Sequence, residues 1–276
     1  MKSNHWQHPK YDLHYYTAGN PKDPCIIFFH GFLGSGFDWE EIINRLSSDF
    51  FCLAVDLPGH GKTRVHGSTT AYSMESFAGI FINFVKISGF VDPSLVGYSM
   101  GGRFAMFLTI STKNLWSATI LESATPGLRN EKQRIERQIK DNEIALKLEK
   151  EGLENFLTDW YKKPLFKTLS NSKNFNSIIM RRMDNDPNEL AKALRMMGVG
   201  VQPSLWSACR TINIPMLLLA GEFDRKFSNI KREMKSVNPN FKLQIIKNAG
   251  HNVHSEQPEA FYIQIHKFLT TIRENR

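Results

Sequence analysis

The feature that most constrains this chain of 276 residues is a rhythm. Short apolar runs alternate with longer segments whose apolar residues recur at 3.6-residue spacing. Apolar runs too short for helices read as strands buried on both faces, and the periodic segments between them read as amphipathic helices, so the alternation is β-α-β and the sheet is mostly parallel. Strands are expected at LHYYTAG (13–19), CIIFFHG (25–31), FFCLAVDLPGHG (50–61, running into a Gly/Pro-rich loop), 94–96 and 117–121. Helices are expected at 39–46, 73–87 and 100–110. The rhythm breaks between about 130 and 200, where charged helical segments such as EKQRIERQIKDNEIALKLEKEGLENFLTDWY replace the strands. It resumes with PMLLLAG (215–221), FKLQIIKNAGH (241–251) and a closing helix over 258–272. The expected architecture is one α/β domain, its central sheet covered by helices on both faces, with core segments 1–129 and 206–276 and a helical cap inserted over 130–205.

Composition narrows the function classes. Hydrophobic residues make up 41% and charged residues 22%, which excludes disordered, fibrous and coiled-coil chains. No apolar run approaches the roughly 20 residues that span a bilayer, so no membrane insertion is expected. The N-terminus MKSNHWQHPKYD lacks the apolar core of a secretory signal, and the expected location is cytoplasmic. Cys25, Cys52 and Cys209 are an odd set without C-x-x-C spacing and read as reduced, buried fillers, not as metal ligands or a disulfide framework. The net charge of +8 is compatible with nucleic acid, an anionic membrane surface or an anionic small substrate. The basic residues are scattered with no run resembling a nucleic-acid arm, so nucleic acid is not expected as a partner.

GYSMGG (97–102) follows an apolar run and opens an apolar helix, the context of a G-x-S-x-G turn that presents a nucleophilic serine. Glycines at 97 and 101 leave room for a turn that lifts Ser99 above the sheet. A serine needs a base to take its proton and a third group to fix the tautomer of that base. Asp224 in GEFD and His251 in NAGHNVH stand after consecutive strands and supply both, in the order Ser, Asp, His. Singly, the aspartate could be a turn former and the histidine a solvated loop residue; together they point to a triad. His30-Gly31-Phe32 follows another strand, where the Phe32 backbone N–H can sit beside that of Met100 as an oxyanion site. Pro58, Gly59 and Gly61 of DLPGHG shape a tight neighbouring loop.

HGF (30–32), DLPGHG, GYSMGGR, GEFD and AGHNVH stand in the order of the α/β-hydrolase superfamily, which the chain resembles from end to end. The resemblance implies the α/β-hydrolase fold. It leaves the reaction open, because that fold hosts esterases, lipases, lyases and receptors. GFLGSGFDW (31–39), TPGL (125–128), ERQ (136–138), DWYKKPLF (159–166), VQPSLW (201–206), DRKF (224–227) and AGHNVHSEQP (249–258) are similar to the MenH-type 2-succinyl-6-hydroxy-2,4-cyclohexadiene-1-carboxylate synthases. That family eliminates pyruvate from a cyclohexene bearing several carboxylates, in menaquinone or phylloquinone biosynthesis, without metal or organic cofactor. The resemblance implies that Ser99, Asp224 and His251 abstract a proton, that Tyr98 and Trp160 line the pocket, and that Arg103, Arg137 and Arg182 (or its neighbour Arg181) hold substrate carboxylates. Guanidinium forks suit that task. Cap arginines also commonly make ion pairs with nearby carboxylates, and a tryptophan there could be cap core. The alternatives are a serine hydrolase of esters or carbon–carbon bonds and a ligand receptor on the same fold.

Overall fold

The computed structural model describes residues 1–112 and 114–274. The chain opens with two antiparallel strands, β1 (Lys2–His8) and β2 (Tyr11–Ala18), paired from Lys2 opposite Thr17 to His8 opposite Tyr11. The sequence reading contains β2 but not β1, because KSNHWQH has no apolar face and its residues are all exposed or half-buried. β3 (Cys25–Phe29), α1 (Glu40–Leu46), β4 (Phe51–Val55), the two-residue β5 (Arg64–Val65), α2 (Met74–Ser88), β6 (Ser94–Tyr98), α3 (Met100–Ser111) and β7 (Thr119–Glu122) follow. Helices α4 (Glu131–Glu151), α5 (Leu153–Tyr161), α6 (Lys167–Ser170), α7 (Phe175–Met183), α8 (Pro187–Met197) and α9 (Trp206–Cys209) then precede β8 (Met216–Gly221). Among the described residues no strand lies between β7 and β8. The chain ends with α10 (Arg225–Val237), β9 (Lys242–Ile246), α11 (Val253–Glu256) and α12 (Pro258–Glu274). α10 also escapes the sequence reading, because its buried face is only Ser228, Lys231 and Met234 in a segment dominated by cations.

The strand order is β1-β2-β4-β3-β6-β7-β8-β9, with β5 paired to β2. Pairings are antiparallel from β1 to β4 and parallel from β4 through β3, β6, β7 and β8 to β9. Alternation along β3 feeds two apolar layers. Ile27 and Phe29 join Phe77, Phe81 and Phe104 of α2 and α3, while Ile26 and Phe28 join Trp39, Phe261 and Ile265 on the opposite face. Full burial of each such side chain contributes about 1.5–3 kcal/mol, which holds the parallel strands and their carboxyl-end loops in place. A third cluster, including Ala145, Leu148, Phe156, Leu157 and Leu190, gives the inserted helices a core of their own; Leu33 from the main domain plugs into it. All three cysteines are buried and free. No helix among the described residues is long and apolar enough to cross a membrane.

Candidate active site

Three carboxyl-end loops of the parallel strands converge on Ser99. At the β6–α3 junction Ser99 takes φ 50° and ψ −106°, a conformation that costs an L-residue about 1–3 kcal/mol. Its neighbours permit the turn for steric reasons. A methyl group at Gly97 would lie 2.4 Å from the Gly101 carbonyl oxygen, and one at Gly101 would lie 2.3 Å from that of Phe29. The turn is pinned by the Ser99 N–H, which donates to the Glu122 carbonyl at 2.9 Å.

His251 follows β9 and is 3% exposed; its Nδ1 lies 2.6 Å from Asp224 Oδ2 and its Nε2 3.2 Å from Ser99 Oγ. The carboxylate selects the Nδ1–H tautomer, leaving Nε2 to accept the serine proton. Asp224 is oriented in turn, because its other oxygen accepts the Phe227 N–H and caps α10. The histidine loop is clamped by groups that the sequence reading does not single out. Glu256 accepts the N–H groups on both sides of His251, from Gly250 at 2.8 Å and from Asn252 at 3.2 Å. Glu122, fully buried at the end of β7, accepts from the N–H and Nδ1 of His254. The second histidine and the glutamate of HNVHSE are the sequence signal for this clamp, although Glu122 lies 132 residues away from His254.

The loop after β3 runs beside the serine. A methyl at Gly31 would touch the Tyr98 ring and lie 3.6 Å from Ser99 Cβ. Buried His30 shapes this loop by donating from Nδ1 to the Gly31 carbonyl and accepting the Leu57 N–H at Nε2; burial lowers its pKa, consistent with that neutral tautomer. Among the described residues neither the Phe32 nor the Met100 N–H has a backbone acceptor, so both stand free at the serine's end of the sheet. The Tyr98 ring packs on His251 at 5.4 Å, and burial, together with the Glu122 charge, pushes its phenol well above the usual range, so it remains a donor.

The inserted helices bring the remaining residues. Trp160 meets Phe32 edge-on at 5.5 Å and Phe166 at 6.0 Å, and Phe166 in turn faces the His251 ring at 6.2 Å. Arg103, one helical turn after Ser99, is 8% exposed and donates to Gln202 Oε1 and the Met197 carbonyl. Burial and the neighbouring Arg137 lower it to about 10, so it is still a cation at neutral pH, and no carboxylate among the described residues pairs with it. Arg137 pairs with Asp141 at 2.7 Å. Arg182 is buried against Asp38 at 2.7 Å and the Tyr161 hydroxyl at 3.3 Å, while the more exposed Arg181 reaches the same Asp38 oxygen at 3.4 Å. Burial alone would raise Asp38, but the two guanidinium groups hold it at about 2. The structure thus gathers Ser99, His251, Asp224, Tyr98, Phe32 and Met100 around one point. Arg103 stands without a counter-ion, Arg137 is half engaged, and the charge of Arg182 is balanced by Asp38.

Residues 24–258 match the family described as alpha/beta hydrolase fold. The 2-succinyl-6-hydroxy-2,4-cyclohexadiene-1-carboxylate synthase of Citrobacter koseri is 33% identical over 88% of this chain and 92% of its own. The chloroplastic protein PHYLLO of Arabidopsis thaliana is 34% identical over 93% of this chain, which corresponds to 16% of that longer protein. The solved structure of MenH from S. aureus superposes with a TM-score of 0.89 at 32% identity, covering 96% of this chain and all of that one.

Proposed function

The chain belongs to the alpha/beta hydrolase family and, within it, to the 2-succinyl-6-hydroxy-2,4-cyclohexadiene-1-carboxylate synthases, and from that premise we infer that Ser99, His251 and Asp224 form the proton-moving unit of a pyruvate-eliminating site. It is a carbon–oxygen lyase of menaquinone or phylloquinone biosynthesis. It converts 2-succinyl-5-enolpyruvyl-6-hydroxy-3-cyclohexene-1-carboxylate to 2-succinyl-6-hydroxy-2,4-cyclohexadiene-1-carboxylate. The two ring names define the electron flow. A proton leaves C2, its electron pair becomes the C2–C3 double bond, the C3–C4 double bond moves to C4–C5, and the C5–oxygen bond breaks to release pyruvate as its enol.

In this reading His251, held by Asp224, makes Ser99 Oγ basic enough to take the C2 proton, without an obligatory acyl-enzyme. The Phe32 and Met100 N–H groups stabilise negative charge as it grows on a substrate carboxylate or carbonyl. Arg103 and Arg137 hold substrate carboxylates. Arg182 contributes from behind Asp38, tying α7 to the loop that carries Phe32. Tyr98 and Trp160 form walls, and residues 130–205 act as the cap over the site. The substrate is an anionic small molecule met in the cytoplasm, and no nucleic acid takes part.

The observation that carries this reading is Arg103. A buried cation without a carboxylate partner is costly unless an anionic ligand completes it, and an ester or carbon–carbon hydrolase of uncharged substrates would gain nothing from it. The test is a side-by-side assay of the wild type on the cyclohexene substrate, generated in situ by its upstream synthase, and on a nitrophenyl ester. Fast pyruvate release with little ester cleavage is expected. Brisk ester cleavage without pyruvate would move the function to the hydrolase.

A further inference from the structure

Besides Arg103, Lys163 stands beside a wall of the site without a carboxylate partner among the described residues. Lys163 precedes Pro164, which holds it extended at φ −61° and ψ 142°, just past the end of α5. From there its side chain folds back over the residue three positions earlier, and Nζ lies 3.4 Å from the centroid of the Trp160 ring. Trp160 stacks on Phe156 and meets Phe32 edge-on, so Lys163 is attached to a wall of the site through a single ring. The neighbouring Lys162 is paired with Asp159, whereas Lys163 has no carboxylate partner among the described residues.

Its surroundings are cationic. Arg137 acts electrostatically on both Lys163 and Arg103, and Asp141, already engaged by Arg137, is the nearby anion. Lys163 is exposed, but desolvation beside its neighbours and the charges of Arg137 and Lys147 lower it to about 8 against the opposing pull of Asp141, so it is predominantly charged at neutral pH. Three cations share one carboxylate along the side of the site formed by α3, α4 and the α5 terminus. That imbalance is repulsive as it stands and is relieved when carboxylates enter.

We propose that Lys163 is a carboxylate anchor of the cap, resting on the Trp160 face in the empty enzyme and turning to a substrate carboxylate beyond the reach of Arg103. The proposal rests on the lyase reading and names one more cation that its polycarboxylate substrate meets. Ring stacking keeps the ammonium near the site at small desolvation cost, and the flexible stem lets it follow the ligand.

The test is steady-state pyruvate release by Lys163→Ala, Lys163→Glu and Lys163→Arg, with melting temperatures measured alongside. The expected result is a KM about tenfold higher in Lys163→Ala, higher again in Lys163→Glu and restored to within about threefold in Lys163→Arg, with kcat changed by less than about twofold and melting unchanged. An unchanged KM in both Lys163→Ala and Lys163→Glu would overturn the assignment while leaving the lyase intact. A fall in kcat that Lys163→Arg does not rescue would overturn it in favour of a packing role. Absence of pyruvate release from the wild type would instead overturn the underlying lyase reading, and this assignment with it.

Discussion

Among the described residues two serine–histidine–aspartate chains are formed, and the one outside the site has the shorter serine–histidine contact. Ser3 Oγ lies 2.7 Å from His14 Nε2, and His14 Nδ1 lies 2.7 Å from Asp56 Oδ2. The corresponding distances in the site are 3.2 Å for Ser99 to His251 and 2.6 Å for His251 to Asp224. Ser3 sits in the extended ladder of β1, opposite Tyr16 in β2, whereas Ser99 sits at a strained turn where a helix begins. Asp56 also accepts the Gly36 and Lys62 N–H groups at 2.6 and 2.8 Å, so it serves to fold the DLPGHG loop. A chain of hydrogen bonds is therefore not what distinguishes a catalytic serine. The surroundings are: the free N–H groups of Phe32 and Met100, an arginine without a carboxylate partner one turn later, and inserted helices that bring Trp160 against Phe32.

The contrast predicts opposite consequences for equivalent substitutions. Asp224→Asn presents an amide to His251 Nδ1 and disturbs the tautomer, so pyruvate release should fall by roughly 10²–10⁴ with little change in melting temperature. Asp56→Asn should leave the kcat of the folded enzyme within a fewfold but cost about 3 kcal/mol, seen as a melting temperature lower by roughly 5–10 °C, because an amide cannot accept from His14 and two N–H groups at once. If both variants lost activity alike without loss of stability, the distinction between the two aspartates would be wrong.

A smaller effect separates what lies behind the two carboxylates. Behind Asp224, on α10, Lys231 is fully buried with no hydrogen-bond partner for Nζ among the described residues; Glu122, Asp224 and Cys209 are its charged or titratable neighbours. Burial lowers its ammonium from 10.5 to about 7. The folded protein thus sheds this proton near pH 7 while the unfolded chain keeps it to about pH 10.5, and across that window the unfolded chain binds more protons and stability rises with pH. Lys231→Met should stabilise by about 1–4 kcal/mol at pH 6, and the gain should shrink steadily between pH 7 and 10. Melting curves at several pH values check both the sign and the window.

The parallel half of the sheet is legible in the sequence because CIIFF, SLVGY and MLLLAG are short, mostly apolar runs without charged residues, and all three are buried throughout. The serine and aspartate are legible because each follows such a run, and the histidine because it follows the strand-like FKLQII in the order Ser, Asp, His. β1 is not, since its residues pair with β2 through backbone groups that any side chains could carry. The clamps on His251 are not legible either: Glu122 reaches His254 across 132 positions, and no local pattern marks that pairing. Arg181 and Arg182, between which the sequence leaves the substrate-facing residue open, differ in burial: Arg182 is inside against Tyr161 and Arg181 is at the surface edge, and both reach Asp38.

The most direct test of Ser99 as the proton-moving group is the rate of pyruvate release by Ser99→Ala beside Ser3→Ala under saturating substrate. A fall of about 10²–10⁴ in Ser99→Ala, with Ser3→Ala within twofold of wild type and within about 0.5 kcal/mol of its stability, is the expected result. A Ser99→Ala enzyme within tenfold of wild type would contradict it, whatever the hydrogen bonds around that serine.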